Sequence, residues 1–557
     1  MLVGELAACA PRFGPGARLE KLRLLARLAG VRVASAKALE RLHETLCFVR
    51  AYPDDAAVQD AAERALREFA LRVRRLAPAA RARLHDSGIA GTDLDYPFGL
   101  PMARWLATRF PGDVEIAWRK FDGGERLEEA LCLLVTPTEA EAFTEGGLGW
   151  RRWLRLARAG RAGDLEVLLR LFRAASMSDE AREWLFETLE LPIAWRLRGA
   201  APSRTLLRLP GAPVVYQREA LRRGGFDFAR ELTRPLPALR RADRPLADAV
   251  MEAARASMAT RARELHAFAR PNPDDVLVAD PGRGLRIALV GLRPDDRLPL
   301  DAYYAYLAFK NGVPVSYGGG WGCLGTLEFA LNIFESFRQG ESALLISQIL
   351  RVYHHVFRMR TVVVDRSQID DSNPEGLRTG AFYFYAKLGF RPTDPEVGRL
   401  ADAERARIAR DPDHRSPLAM LRRLGRSNLV LTLDGGAPAT AVTGSRLAAL
   451  VTGHITRAFD GDRRAAAADA VARVARVLGA TGWRRWAPPE RRAFERLATV
   501  IGLIPDLARW PARDRARLRQ VMRAKGGAGE ARYLALLGGH RRLRESLEAL
   551  AREAPAP

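Results

Sequence analysis

Apolar positions recur at three- and four-residue spacing over most of this chain, the period of a helix that buries one stripe. Ala17 to Leu28, Ala34 to Val49 and Asp54 to Leu76 carry the pattern early. Glu396 to Arg410, Ser416 to Leu424, Gly444 to Ala458, Arg463 to Leu478, Pro489 to Ile504 and Arg541 to Arg552 carry it late. Between these flanks the period shortens. Arg286 to Leu292 (RIALVGL), Tyr303 to Phe309 (YYAYLAF), Val313 to Tyr317 (VPVSY) and Leu324 to Ile333 are short β-branched or aromatic runs that predict strands. Asn311-Gly312 predicts a tight hairpin between the second and third, and Gly318-Gly319-Gly320 predicts release of the chain after the third. Leu331 to Phe390 then reads as strand, turn, helix, strand (TVVV), loop and helix, closing on Gly389-Phe390.

The breaks between patterns suggest a division. His85 to Pro101 is rich in Gly, Asp and Pro and reads as a loop. Val114 to Trp118 has the composition of a strand, and Gly160 and Gly163 split two helices within Trp150 to Arg173. Prolines interrupt the pattern repeatedly from Pro192 to Pro245. These features place a boundary near residue 240. The expected organisation is a mostly helical N-terminal region (1–240), a central α/β (α+β) domain with a mixed sheet (245–395), and a helical C-terminal region (396–557). No fixed-period repeat is evident.

Composition narrows the class. The 557 residues carry a net charge of +23. Only six basic residues are Lys and the other 83 are Arg, a bias that base composition produces without any ligand. From Asp301 to Leu400 ten basic residues face ten acidic ones, so the excess sits on the helical flanks. It reads either as solvated helix faces, the favoured reading, or as contact with an anionic partner such as nucleic acid. Cys9, Cys47, Cys132 and Cys323 are far apart with no nearby His at ligand spacing, which argues against a zinc site or a disulfide framework and fits a reducing cytoplasm. No apolar run reaches the roughly 18 residues of a membrane span. His354-His355 lie about 100° apart on a helix and cannot form one metal face. No metal is expected.

Residues 290–395 resemble the GNAT superfamily of N-acetyltransferases. The first matching stretch is Leu331 to Ala343 (LNIFESFRQGESA), where that family has a strand, a turn, and an aromatic-Arg-Gly-x-Gly-x-Gly/Ala loop opening a helix. Phe337, Arg338 and Ala343 match; Glu341 stands at the central Gly and Gly340 comes one place early. The second is Ala381 to Phe390 (AFYFYAKLGF), which matches at Ala381, Tyr385, Lys387, Leu388, Gly389 and Phe390 but has Arg378 where the family has Asn; Asn373 is a possible substitute upstream.

The resemblance implies acyl transfer from acetyl-coenzyme A, or another acyl-coenzyme A, to an amine. Backbone amides across Ile333, Phe337, Arg338, Gln339, Gly340, Glu341, Ser342 and Ala343 would cradle the cofactor's pyrophosphate. Tyr385 would protonate the leaving thiolate, or simply pack the core. Glu328 and Glu335 are candidates for the base. A Glu341 carboxylate beside pyrophosphate would repel it unless turned away; otherwise it marks an ordinary helix start. Two rival readings remain: a GNAT-like domain without cofactor acting as a scaffold, and nucleic-acid binding through the basic flanks.

Overall fold

The computed structural model describes residues 1–554 apart from 159, 161, 162, 200–202, 212, 412, 434–441 and 443. It is a mixed α/β architecture with helices at both ends. Among the described residues no helix is long and apolar enough to cross a membrane.

Two sheets organise the chain. The small one joins β1 (Asp93–Tyr96), β2 (Val114–Ile116) and β3 (Ile193–Arg196) in the order β1-β3-β2, all antiparallel. It has its own core, built on Leu94, Leu106, Phe172, Phe186 and Trp195. The stretch expected to be only a loop, 85–101, thus contributes β1, because Leu94 is buried against that core.

The large sheet has nine strands. They are β4 (Leu239–Arg241), β5 (Pro271–Gly282), β6 (Leu285–Leu292), β7 (Ala302–Lys310), β8 (Val313–Cys323), β9 (Thr326–Ile333), β10 (Thr361–Val364), β11 (Arg391–Pro392) and β12 (Leu429–Thr432). The order is β11-β12-β10-β9-β8-β7-β6-β5-β4. Neighbours are antiparallel except β9 and β10, which run parallel around the helix Ser342–Phe357. That connection is long enough for a parallel crossover, whereas the antiparallel neighbours need only turns.

The sheet crosses both expected domain boundaries, because β4 lies before residue 245 and β12 after residue 395. One continuous core holds the first helices, the sheet and the C-terminal helices together. The expected hairpin is present: Lys310 pairs with Val313 across Asn311 and Gly312, whose φ angles are 50° and 79°.

The glycine run departs from expectation. Gly318 to Gly320 stay in β8, paired to β7 and β9. Side chains there would collide with the rings of Tyr306, Tyr303 and Tyr353 respectively, so the glycines make room for aromatic packing and do not end the strand.

The C-terminal helices are clamped to the sheet by buried polar groups. Arg297 donates to the carbonyls of Lys525 (2.8 Å), Gly527 (2.6 Å) and Ala528 (3.0 Å). Lys525 pairs with Glu530 and donates to the Asp301 carbonyl at 2.7 Å. Asp275 accepts from the Glu530 amide (3.0 Å) and from the Tyr304 hydroxyl (2.9 Å).

Candidate functional site

The stretch after β9 forms a short 3-10 turn, Glu335–Phe337, and then enters the helix Ser342–Phe357. Phe337 is buried and anchors the turn. Arg338 Nε donates to the Ile333 carbonyl at 3.1 Å, and its guanidinium pairs with Glu375. The Gly340 amide closes on the Phe337 carbonyl at 2.9 Å. A Cβ at Gly340 would stand 3.0 Å from that carbonyl and 3.2 Å from the Tyr52 hydroxyl, which explains a glycine at this place.

Glu341 turns into the protein. Its side chain is 5% exposed and accepts from the Arg222 amide and from Arg283 Nη2, both at 2.9 Å. Lys310 Nζ lies 3.7 Å from the other oxygen. Burial pulls the Lys310 ammonium down to about 8, and Glu341 opposes that shift. The repulsion anticipated between a carboxylate at this position and a bound pyrophosphate therefore does not arise from this side chain.

On the other side of the loop lies an open cavity of about 590 Å³. Gly340, Ser342 and Ala343 form one wall, Arg223 to Phe226 of the N-terminal region another, and Phe384, Lys387 and Leu388 a third. Arg223, Arg338 and Lys387 are the charged residues among the described ones lining it, and Glu375 stands behind Arg338 as its ion-pair partner. Arg223 Nη2 donates to the Gln339 carbonyl at 2.9 Å. The Ser342 and Ala343 amides belong to the first helical turn, whose N–H groups have no partner within the helix. The cavity thus combines the start of a helix with two cations, Arg223 and Lys387, that have no carboxylate at ion-pair distance among the described residues, and with an Arg338 held by Glu375, a setting suited to an anion.

Next to it, β9 and β10 part. They pair from Thr326/Thr361 to Glu328/Val363, and β9 then continues alone on that side. Gln368, in the 3-10 turn after β10, fills the gap. Its Nε2 donates to the Phe329 carbonyl (2.7 Å), and its Oε1 accepts from the Leu331 amide and the Tyr385 hydroxyl, both at 3.3 Å. Asn373 does not join this group through its side-chain oxygen, which instead caps the helix Pro374–Thr379; its Nδ2 holds the Gln368 carbonyl at 3.0 Å. Tyr385 is 4% exposed, and burial pushes its phenol well above the usual range.

Glu328 sits at the last position of β9 paired with β10, and lies opposite Trp321 of β8. Leu327 and Phe329 are buried, Phe329 against Tyr353 of the helix Ser342–Phe357, so strand alternation puts Glu328 on the other face. Burial, then Asp365 and Asp301, push its carboxyl up to about 7. Tyr303 and Trp321 stand beside it with ring centroids 6.0 Å apart.

Tyr385, held through Gln368 beside Phe329 and Leu331, and Glu328 therefore lie at neighbouring positions along β9. Glu335 lies elsewhere, in a separate cavity with Lys37, Glu40, Arg41 and Glu44. Both rings of His354 and His355 bond backbone carbonyls. Far from the cleft, His85, Asp86 and Asp95 meet at the surface, but the Lys120 ammonium already sits on Asp95 at 2.5 Å.

Sequence reasoning missed Gln368, Arg223 and Arg283. Gln368 lies in a polar run that reads only as loop, and the two arginines reach the site from more than fifty residues away. No family model, curated protein or solved structure matches the chain.

Proposed function

We propose that the central domain is a GNAT-like N-acyltransferase that takes an acyl group from acyl-coenzyme A to an amine. The observation that carries this reading is the cleft at the start of the helix Ser342–Phe357, where the first-turn amides meet Arg223 and Lys387, with Arg338 beside them paired to Glu375. The fit extends to Glu341, whose charge is spent on Arg283 and the Arg222 amide inside the protein. Acyl-coenzyme A, when bound, supplies an acyl carbon activated as a thioester, with the coenzyme A thiol as leaving group. Arg223, Arg338 and Lys387 would hold its phosphates. Glu328, with a carboxyl near 7, is half ionised at neutral pH and would accept a proton from the acceptor amine. Tyr385 keeps its proton at neutral pH and has it directed at Gln368.

A second reading, a scaffold domain without cofactor, draws on Gln368, whose amide already satisfies the free edge of β9. Titration calorimetry with acetyl-coenzyme A separates the two. Binding that weakens when Arg223 and Lys387 are both replaced by Gln supports the transferase; no heat at millimolar ligand supports the scaffold.

A further inference from the structure

The positive charge is not spread as compositional drift would spread it. Residues 245–395 hold 17 basic and 17 acidic side chains, so the Arg bias is balanced there. Residues 444–553 hold 23 basic and 11 acidic ones, an excess of twelve that is about half of the chain's +23. A drift in base composition acts on the whole gene and does not explain the segregation.

The structure gathers part of this excess at one place. Arg476 ends the helix Arg463–Val477, and the 3-10 turn Trp483–Arg485 follows with Arg484 and Arg485. From the helix Ala512–Ala524, Arg515 reaches the Val477 carbonyl (3.2 Å) and Arg519 the carbonyls of Leu478 (3.2 Å) and Gly479 (3.0 Å). Arg491 reaches the Arg484 carbonyl at 3.1 Å. Six guanidinium groups thus surround the 476–485 turn, and among the described residues none of the six has a carboxylate at ion-pair distance. Arg476, Arg484 and Arg485 are exposed. Arg473, Arg492, Arg523, Arg541, Arg542 and Arg544 of the same region each have an acidic partner, and what sets these six apart from the region's other arginines is that they converge on one turn.

We infer that this arginine cluster is a docking surface for the phosphodiester backbone of a nucleic acid. Guanidinium groups without a carboxylate partner, on a rigid helical frame, suit repeated phosphates. A lipid surface is the less suited partner, because among the described residues no large apolar side chain of 444–553 is exposed to insert into it.

The test is fluorescence anisotropy of the full chain with short labelled duplexes of DNA and RNA of one sequence, titrated from 50 to 200 mM salt. Binding should fall steeply, about a thousandfold if six phosphates are neutralised. Replacing Arg476, Arg484 and Arg485 together by Gln should lower the log–log salt slope by about 3. Replacing Arg151, Arg152 and Arg155, three exposed arginines of the N-terminal region, by Gln removes the same charge and should leave the slope unchanged. Equal loss in both triple variants would overturn the assignment to this surface. So would a flat salt response, or retention on phosphatidylserine vesicles with no binding to either duplex. Preference for DNA or RNA identifies the backbone.

Discussion

Glu341 shows how a charge can be harmless in the place where a motif wants glycine. The side chain leaves the loop on the side away from the cleft and is satisfied by Arg283 and the Arg222 amide. Glu341→Gly should therefore not improve binding of coenzyme A by calorimetry. It should lower stability in urea unfolding by about 3–5 kcal/mol, because Lys310 stays buried without its anion. Glu328 carries a second test at this scale. Its carboxyl must be ionised to take a proton, so acyl transfer should rise with pH through about 7 and level off above it. Glu328→Gln should remove that limb and cut kcat by about 10²–10⁴. The stability effect has the opposite sign. A carboxyl whose pKa is raised by folding favours the fold while protonated, so its contribution is full below about 4.5 and is lost as pH rises through 7.

The parting of β9 and β10 is a property of two elements, and Gln368 is what closes it. Gln368→Ala should free the Leu331 amide, read as faster hydrogen exchange at that residue, and should release the Tyr385 hydroxyl. If Gln368 competes with a ligand for the strand edge, the same change should tighten coenzyme A several-fold. If it positions the ligand, affinity should fall. The glycine run in β8 gives another test: Gly318→Ala would push a methyl group into the Ala330 carbonyl and the Tyr306 ring, costing about 1–3 kcal/mol or more.

That run also marks how far the sequence could be read. The Asn311-Gly312 hairpin was legible because its turn chemistry is local. The role of Gly318 to Gly320 was not, since the rings filling their missing side chains come from Tyr303, Tyr306 and Tyr353. β5 was hidden by its own prolines, Pro271, Pro273 and Pro281, near its ends and its irregular register with β6. β12 is four residues long in a helical neighbourhood. The same holds for the cleft. Arg338 to Ala343 are consecutive and could be read, whereas Arg223, Arg283 and Gln368 become neighbours only through folding.

At the scale of the molecule, the C-terminal helices are fastened to the sheet by groups that dislike being buried. Lys525, Glu530, Asp275 and Arg297 are each at most 4% exposed. Burial raises the Asp275 carboxyl to about 6 despite the Tyr304 and Glu530 bonds. Its contribution to stability should be full below about 4 and fade as pH rises through 6, and Asp275→Asn should flatten that part of a pH–stability curve from thermal unfolding. Removing one partner of the buried pair, as in Glu530→Ala, should cost about 3–5 kcal/mol.

The strand order has a further consequence, for the chain as it is being made. β10 is complete at Val364, but the strand that covers its outer side, β12, begins at Leu429. A ribosome adding about 5–20 residues per second needs roughly 3–13 s to supply the intervening stretch. During that interval an apolar strand, Thr-Val-Val-Val, offers an unpaired row of amides and carbonyls to any neighbour. Nascent chains halted after β10 has emerged and before β12 is made should therefore self-associate through this edge, and the complete chain should not.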